Sequence, residues 1–440
     1  MEKEEILKKL RKDALESINF ILEKIDPEKR VQEFLLIDNN KLKTSYDEID
    51  LEKFKRIFLI SFGKAAIKMA KGVLSRLNVY KGLVVSNIYY SDFSQNIEYI
   101  KGEHPIPDEK SLYAGKRLIE ISEEINENDL VLILISGGGS SLVEYPLISL
   151  LDLKELTKLM LKSGLSIDEI NIIRKHLSEI KGGKLLKKIK GKIYSIIISD
   201  VIGDDLGTIA SGPTYFDNST FFDAKDVLEK YNLLDKVPKS VLNVIQKGIR
   251  GEIPETLKEK DFPYERVKNY IILSNHIVCK YLIDFFKNKG YTTLYLGSRI
   301  QGDVREVSKV IGGIILDIYD EKIDIKKPVS LIFGGETTVF VKGNGIGGRN
   351  EELSLLISKY IQNKNIVFLS FATDGIDGIS NSAGAIVDGE TLNRGDILNL
   401  NYKIYLDNND SYNFFLKLGD LITTGPTGNN VMDIGISLIY

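Results

Sequence analysis

LVLILISGGGSSL, residues 130–142, joins an uninterrupted aliphatic run to three glycines and two serines. A strand with one wet face alternates apolar and polar residues, so a run without alternation is buried on both faces, as parallel strands between helices are. Comparable runs recur as RIFLIS (56–61), GLVVSN (82–87), YSIIIS (194–199), YIILS (270–274), TLYLG (293–297), VSLIF (329–333), TVFV (338–341) and IVFLSFA (366–372). Segments of helical period separate them, which predicts an α/β fold built from βαβ crossovers. Ile6, Leu10, Ala14, Ile18, Leu22 and Ile25 fall at helical spacing and predict an amphipathic helix ending before Pro27. A chain of 440 residues exceeds one ordinary core. Residues 236–264, polar and proline-bearing, are read as a connection between an N-terminal domain, 1–235, and a C-terminal domain, 265–440. The alternative is a helical excursion within one domain.

Composition narrows the partner. The 59 Lys and Arg nearly cancel the 62 Asp and Glu. No strong field exists to hold nucleic acid or an anionic membrane, so small molecules are the expected ligands. Cys279 is the single cysteine, which excludes an intrachain disulfide. The charged N-terminal segment lacks the apolar core of a signal peptide, and LVLILI is too short to span a bilayer. The expected location is the cytoplasm, and the sequence leaves room for a homodimer.

In open α/β sheets ligands collect beyond the carboxyl ends of the strands. There the chain repeats glycines and charges: Gly63-Lys64 after the first run, Ser136-Gly137-Gly138-Gly139-Ser140-Ser141 after the third, Asp200 after YSIIIS, and Asp374 after IVFLSFA. Backbone N–H groups of a glycine turn bind anions without side chains, although a tight turn alone also calls for glycine. Lys64 opens a helix, where an ammonium is unfavourable unless an anion shares the place. Carboxylates at strand ends suit Mg²⁺, which takes one or two of them plus substrate phosphates, or a substrate hydroxyl, or simple loop capping. His104, His176 and His276 have no metal-ligand spacing and are read as structural. No G-x-S-x-G, C-x-x-C or Walker A motif occurs.

GNGIGGRNEE, 343–352, complicates this picture. Gly343, Gly345 and Gly348 spell G-x-G-x-x-G between TTVFV and LSLLISKYI, the dinucleotide fingerprint. Against it, Arg349 follows the last glycine, where its guanidinium suits a phosphoryl group better. The stretch GGETTVFV also suggests a hairpin with VSLIF instead of a lone opening strand.

SFGKAAIKMA, GEHPIPDEKS, LISGGGSSL, INIIRKHLSEIKGGKL, IIISDVIGDDLGTIASGPT, GGETTVFVKGNGIGGRNEEL, ATDGIDG, NDSY and LGDLITTGPTGNNVMD, in this order, resemble the glycerate 2-kinase family, whose C-terminal half is called the MOFRL domain. The resemblance implies two dissimilar α/β domains, one Rossmann-like, with an active-site cleft between them. It implies ATP- and Mg²⁺-dependent phosphorylation of D-glycerate at its 2-hydroxyl to give 2-phosphoglycerate. It also implies catalytic roles for Lys64, Asp200 and Arg349, and metal binding by Asp200 and Asp374. Phosphate or substrate contacts are expected from Ser136 to Ser141 and from Gly345, Gly347 and Gly348. Two positions depart from the family pattern: ISNSAGA lacks an acid before the alanines, and Asn429 stands where threonine is commoner. The rival enzyme is an NAD(P)-dependent hydroxypyruvate reductase, and the rival non-enzyme is a sensor of small acids.

Overall fold

The structure, a computed structural model, describes residues 3–44 and 47–440. It divides into two compact units, Pro27–Ile272 and a second formed by Met1–Asp26 with Leu273–Tyr440.

The first unit is built on a six-stranded sheet in the order Ile97–Lys101, Lys81–Ser86, Arg56–Phe62, Asp129–Ile135, Lys192–Ile198, Val267–Leu273. The first five run parallel. All seven residues of Asp129–Ile135 are buried, as the unbroken aliphatic run requires. The path through this sheet begins at Arg56–Phe62, winds outward to Ile97–Lys101, then returns to Asp129–Ile135 and winds the other way. This is the doubly wound Rossmann order, and it places a topological switch point between Arg56–Phe62 and Asp129–Ile135.

A helical layer follows the central strand: Leu150–Lys162, Ile167–His176, Phe221–Lys230 and Lys239–Ile249, with a core of its own that includes Leu156, Ile173, Phe221, Val241 and Ile245. The stretch expected as a linker, 236–264, is therefore part of this unit. Val241, Val244, Ile245 and Gly248 are buried on one helix face, and Leu257 and Phe262 join the core under the sheet. The helical-excursion alternative describes it better.

The N-terminal boundary also shifts. Helix Lys3–Lys24 buries Ile6, Leu7, Leu10, Ala14, Ile18 and Ile21 and belongs with the C-terminal half, not with 27–235. Its polar side chains explain the placement. Arg11 bonds Asp388 and Asp420 at 2.6 Å each, and Asp13 accepts from Lys289 at 2.8 Å and Tyr291 at 2.7 Å.

The second unit carries a mixed sheet in the order Thr292–Asp303, Val329–Thr338, Asp433–Ile439, Ile366–Ala372, Gly384–Asp388, Leu421–Ile422. The first pair is parallel and the others are antiparallel. The expected hairpin between VSLIF and TVFV is absent among the described residues. Val329–Thr338 is one continuous strand, and Phe340 and Val341 lie beyond it, 67% and 69% exposed. The glycines inside this strand are space-limited: a Cβ on Gly334 would strike Asn275, and one on Gly335 the Ile300 backbone. Asp433–Ile439, fully buried between two antiparallel neighbours, was not picked out in the sequence. No described helix is long and apolar enough to cross a membrane.

Candidate active site

At the switch point of the first unit, the loop after Arg56–Phe62 is tied to the loop after Asp129–Ile135. Lys64 N donates to Gly137 O at 2.9 Å, Ala65 N to Ser136 Oγ at 3.1 Å, and Ser136 N to Phe62 O at 3.2 Å. Ser136 thus serves as a fastener, and Ser141, whose hydroxyl donates to Gly138 O at 3.2 Å, does the same. Ser140 Oγ lies 2.9 Å from Ser211 Oγ, which donates to Asn171 Oδ1 at 2.8 Å. The amides of Gly139 and Ser141 are spent inside the turn on Ser136 O and Gly138 O. Those of Gly137 and Gly138 make no hydrogen bond among the described residues.

The glycines are there because side chains close over them. Gly138 has φ +82°, and a Cβ on it would lie 2.9 Å from the His104 ring and 3.4 Å from Lys64 Cγ. A Cβ on Gly137 would collide with the Asp200 carboxylate. Lys64, His104 and Asp200, far apart in sequence, therefore meet at one turn. Gly137→Ala should displace Asp200, and a shift near 1 Å costs about 100-fold in rate. A loss of that order at an unchanged melting temperature is the expected result, and steady-state kinetics with thermal melts would check it.

The Lys64 ammonium is partly buried and has no hydrogen bond or ion pair among the described residues. Asp200, Gly138, His104, Asn171, Ser140 and Arg174 share a cavity of about 310 Å³. His104 is pushed down to about 4 by burial first, then by the Lys64 and Arg174 charges, so it is neutral at physiological pH. The structural role expected of the three histidines describes the other two. His176 bonds Ile172 O at 2.8 Å and Glu255 at 3.1 Å, and His276 lies 2.9 Å from the Tyr295 hydroxyl. Of the neighbouring acids, Asp205 accepts from Thr208 Oγ1 at 2.6 Å as a turn cap, whereas Asp200 faces the cavity. The cavity is also lined by Ala210, at φ +50° beside Ser211 at +61°. Two consecutive left-handed non-glycine residues are costly, at roughly 1–3 kcal/mol each, and such strain concentrates at functional sites.

The second unit holds the other sites expected from sequence. Arg349, first residue of helix Arg349–Ile361, is engaged by acids: Nε and Nη2 donate to the two Asp433 oxygens, the latter at 3.0 Å, and Nη1 lies 2.8 Å from Glu336. The glycine loop before it is spent on a neighbouring loop. Lys342 N and Gly343 N donate to Asn409 Oδ1, Gly345 N to Asn408 O at 2.9 Å, and Ile346 N to Asp410 Oδ1 at 2.9 Å. A Cβ on Gly343 or Gly345 would strike the Asn408 backbone. The G-x-G-x-x-G spacing thus records close docking against residues 408–411, and the strand that ends five residues before it is not a lone one: Val329–Thr338 has a neighbour on each side. Gly345 offers no free amide, although it lines, with Gly347, Gly348, Thr337, Arg349, Glu352 and Ile379, a cavity of about 500 Å³.

Asp377 supplies the cap that Gly348 lacks, accepting from Asn350 N at 3.1 Å and Glu351 N at 2.8 Å. Burial pushes Glu351 and Asp377 each up to about 7, with Glu351 also raising Asp377. The backbone donors favour Asp377 as the anion, which leaves the proton on Glu351 beside Ser382 and Ser411. Of the two, Ser382 lies in ISNSAGA, the segment in which an acid was expected before the alanines. Between pH 4.5 and 7 the folded chain keeps a proton that the unfolded chain has released, so stability falls as pH rises through that window. Glu351→Gln should flatten this slope by about one proton. Melting temperatures of both proteins at pH 5 and pH 8 would check it. Asp374, partly exposed, accepts from Ile376 N at 3.1 Å, and Asn429 donates to Ile25 O at 2.7 Å, a structural use of that departure. Among the described residues no group of three or more His, Cys, Asp or Glu is arranged to hold a metal.

Residues 13–246 match a family model described as a domain of unknown function (DUF4147), and residues 329–433 match the MOFRL family. Over 98% of its length the chain is 40% identical to a protein named glycerate 2-kinase from Pyrococcus horikoshii, covering 97% of that protein. The chain belongs to the glycerate 2-kinase family. A crystal structure of glycerate kinase from Thermotoga maritima superposes with a TM-score of 0.87 at 38% identity, covering 98% of this chain and 100% of that one. The glycerate 2-kinase relatives thus extend over both units and over the sites in each. A putative hydroxypyruvate reductase from Agrobacterium vitis is 34% identical over 87% of each chain, a lower identity over a shorter span.

Proposed function

We propose that this chain transfers the γ-phosphoryl group of ATP to the 2-hydroxyl of D-glycerate, giving 2-phosphoglycerate and ADP. The observation that carries the reading is Lys64: an ammonium without a counter-ion among the described residues, beside two unspent glycine amides and Asp200. Buried or half-buried charge is normally paired, so an anionic ligand is the missing partner. In the proposed step the C2 oxygen attacks the γ-phosphorus in line and the bond to the β-phosphate oxygen breaks. Asp200 orients the attacking hydroxyl and receives its proton. Lys64 neutralises charge on the moving phosphoryl oxygens, and the Gly137 and Gly138 amides, unspent among the described residues, add donors without further charge; the catalytic role proposed for Arg349 is tested by substitution.

Mg²⁺ fits this donor set, because it commonly takes only one or two carboxylates and fills its shell with phosphate oxygens and water. Asp200, which faces the cavity, would hold it, and when bound it supplies charge neutralisation on the phosphates. A nicotinamide cofactor on the glycine fingerprint is disfavoured, because its amides are largely consumed by residues 408–410. Incubation with D-glycerate, ATP and Mg²⁺ should release ADP, with the phosphorus on C2 by NMR. Oxidation of NAD(P)H by hydroxypyruvate without ADP formation would reverse the choice.

A further inference from the structure

Arg174 lies in the last turn of helix Ile167–His176 and lines the same cavity as Asp200 and Gly138. Its guanidinium carries five N–H donors, yet among the described residues none has an acceptor. Glu144, the acid whose charge acts on it, is already consumed: it pairs with Lys181 and accepts from Ser178 Oγ at 3.0 Å and Tyr145 N at 3.1 Å. A half-buried guanidinium left in this condition requires an acceptor from outside the fold. Asn171, one helical turn earlier and buried, faces the same space. Its carbonyl oxygen is held by Ser211, which turns its NH₂ donors, unpartnered among the described residues, toward the cavity.

Resting on the kinase reading, we propose that Arg174, with Asn171, binds the carboxylate of the acceptor acid and fixes which hydroxyl meets the phosphoryl group. The planar guanidinium matches a carboxylate through two parallel hydrogen bonds, whereas Lys64, a point charge beside the glycine amides, suits a phosphoryl oxygen. A cavity of about 310 Å³ is ample for a three-carbon hydroxy acid and lies at the small end of ligand sites, which run from about 300 to 1,000 Å³. Neutral His104 lies near both cations without adding a third charge, so the site carries two positive groups for two anionic ones.

The test uses the whole enzyme with Arg174→Met and Arg174→Lys, the second keeping the charge but losing the fork. Removing one partner of a close charged pair predicts a rise in KM for D-glycerate of at least about 30-fold for Arg174→Met, with KM for ATP nearly unchanged. Arg174→Lys should fall between wild type and Arg174→Met. Discrimination between D-glycerate and glycerol, which lacks the carboxylate, should shrink in Arg174→Met. An unchanged KM for D-glycerate, or a rise confined to ATP, would overturn the assignment. Calorimetric binding of D-glycerate separates the two readings. If wild type binds D-glycerate and Arg174→Met does not, the anchor stands even where no ADP forms. If both bind alike, the anchor falls whatever the kinase assay gives.

Discussion

Lys64→Met is expected to lower kcat by about three orders of magnitude, the scale on which a single cation contributes to phosphoryl transfer. The same substitution should leave the fold intact. The ammonium makes no hydrogen bond or ion pair among the described residues, and the loop is held by backbone: Lys64 N on Gly137 O and Ala65 N on Ser136 Oγ. Methionine keeps the apolar stem that packs near Gly138. A second readout does not depend on turnover. The positive charge of Lys64 is one reason that His104 is held down to about 4, behind burial. Removing a like charge favours the protonated imidazole, so the His104 pKa should rise in Lys64→Met, measurable by NMR titration of the imidazole proton signals. Near-normal turnover together with a raised His104 pKa would mean that Lys64 lies near His104 and Gly138 without acting on the phosphoryl group.

Much of the first unit was legible from local pattern. The uninterrupted runs at 56–61, 130–136 and 194–199 become parallel strands because burial on both faces is a property of composition alone. Lys64, Gly137 and Asp200 were legible for a related reason: they follow strand ends, where an open α/β sheet exposes its ligands. Arg174 and His104 were not. Each comes from a helix or loop that reaches the switch point through tertiary packing, and an arginine near the end of an amphipathic helix looks like an ordinary dipole partner. The signal available was INIIRKHLSEIKGGKL, in which Arg174 follows Asn171 by three residues. The glycine fingerprint misled in the opposite direction. A glycine demanded by a ligand and one demanded by a neighbouring backbone leave the same letter, and only the contacts of Gly343 and Gly345 with Asn408 tell them apart. Helix Lys3–Lys24 was recognised as a helix, but its partners Asp388, Asp420 and Lys289 lie hundreds of residues away. Periodicity carries no information of that kind.

Arg349→Ala should be the more damaging of the two cation removals, because it is the one that also breaks folded-state contacts. Arg349 holds both oxygens of buried Asp433 and one of Glu336. Burial already pushes Asp433 up to about 7 against the pull of this guanidinium. Removing one partner of a buried ion pair costs about 3–5 kcal/mol when the remaining charge stays ionised. The sign with pH follows. Without Arg349 the Asp433 pKa climbs further, so the variant stays protonated there to higher pH than wild type. Its stability deficit should therefore be smallest in acid and widen as pH rises through about 7, where wild type has begun to ionise Asp433 against its partner. Melts of both proteins at pH 5.5 and pH 8.5 measure this directly. Turnover must be read separately, at a temperature where the variant remains folded. A loss of about three orders of magnitude in the folded variant assigns Arg349 to the phosphoryl group. Wild-type turnover with the pH-dependent instability would reduce it to a support for Asp433. The double variant with Lys64→Met decides whether the two cations serve one group. Losses that fall well short of the product of the single effects indicate a shared transition-state charge, whereas strictly multiplicative losses indicate independent roles.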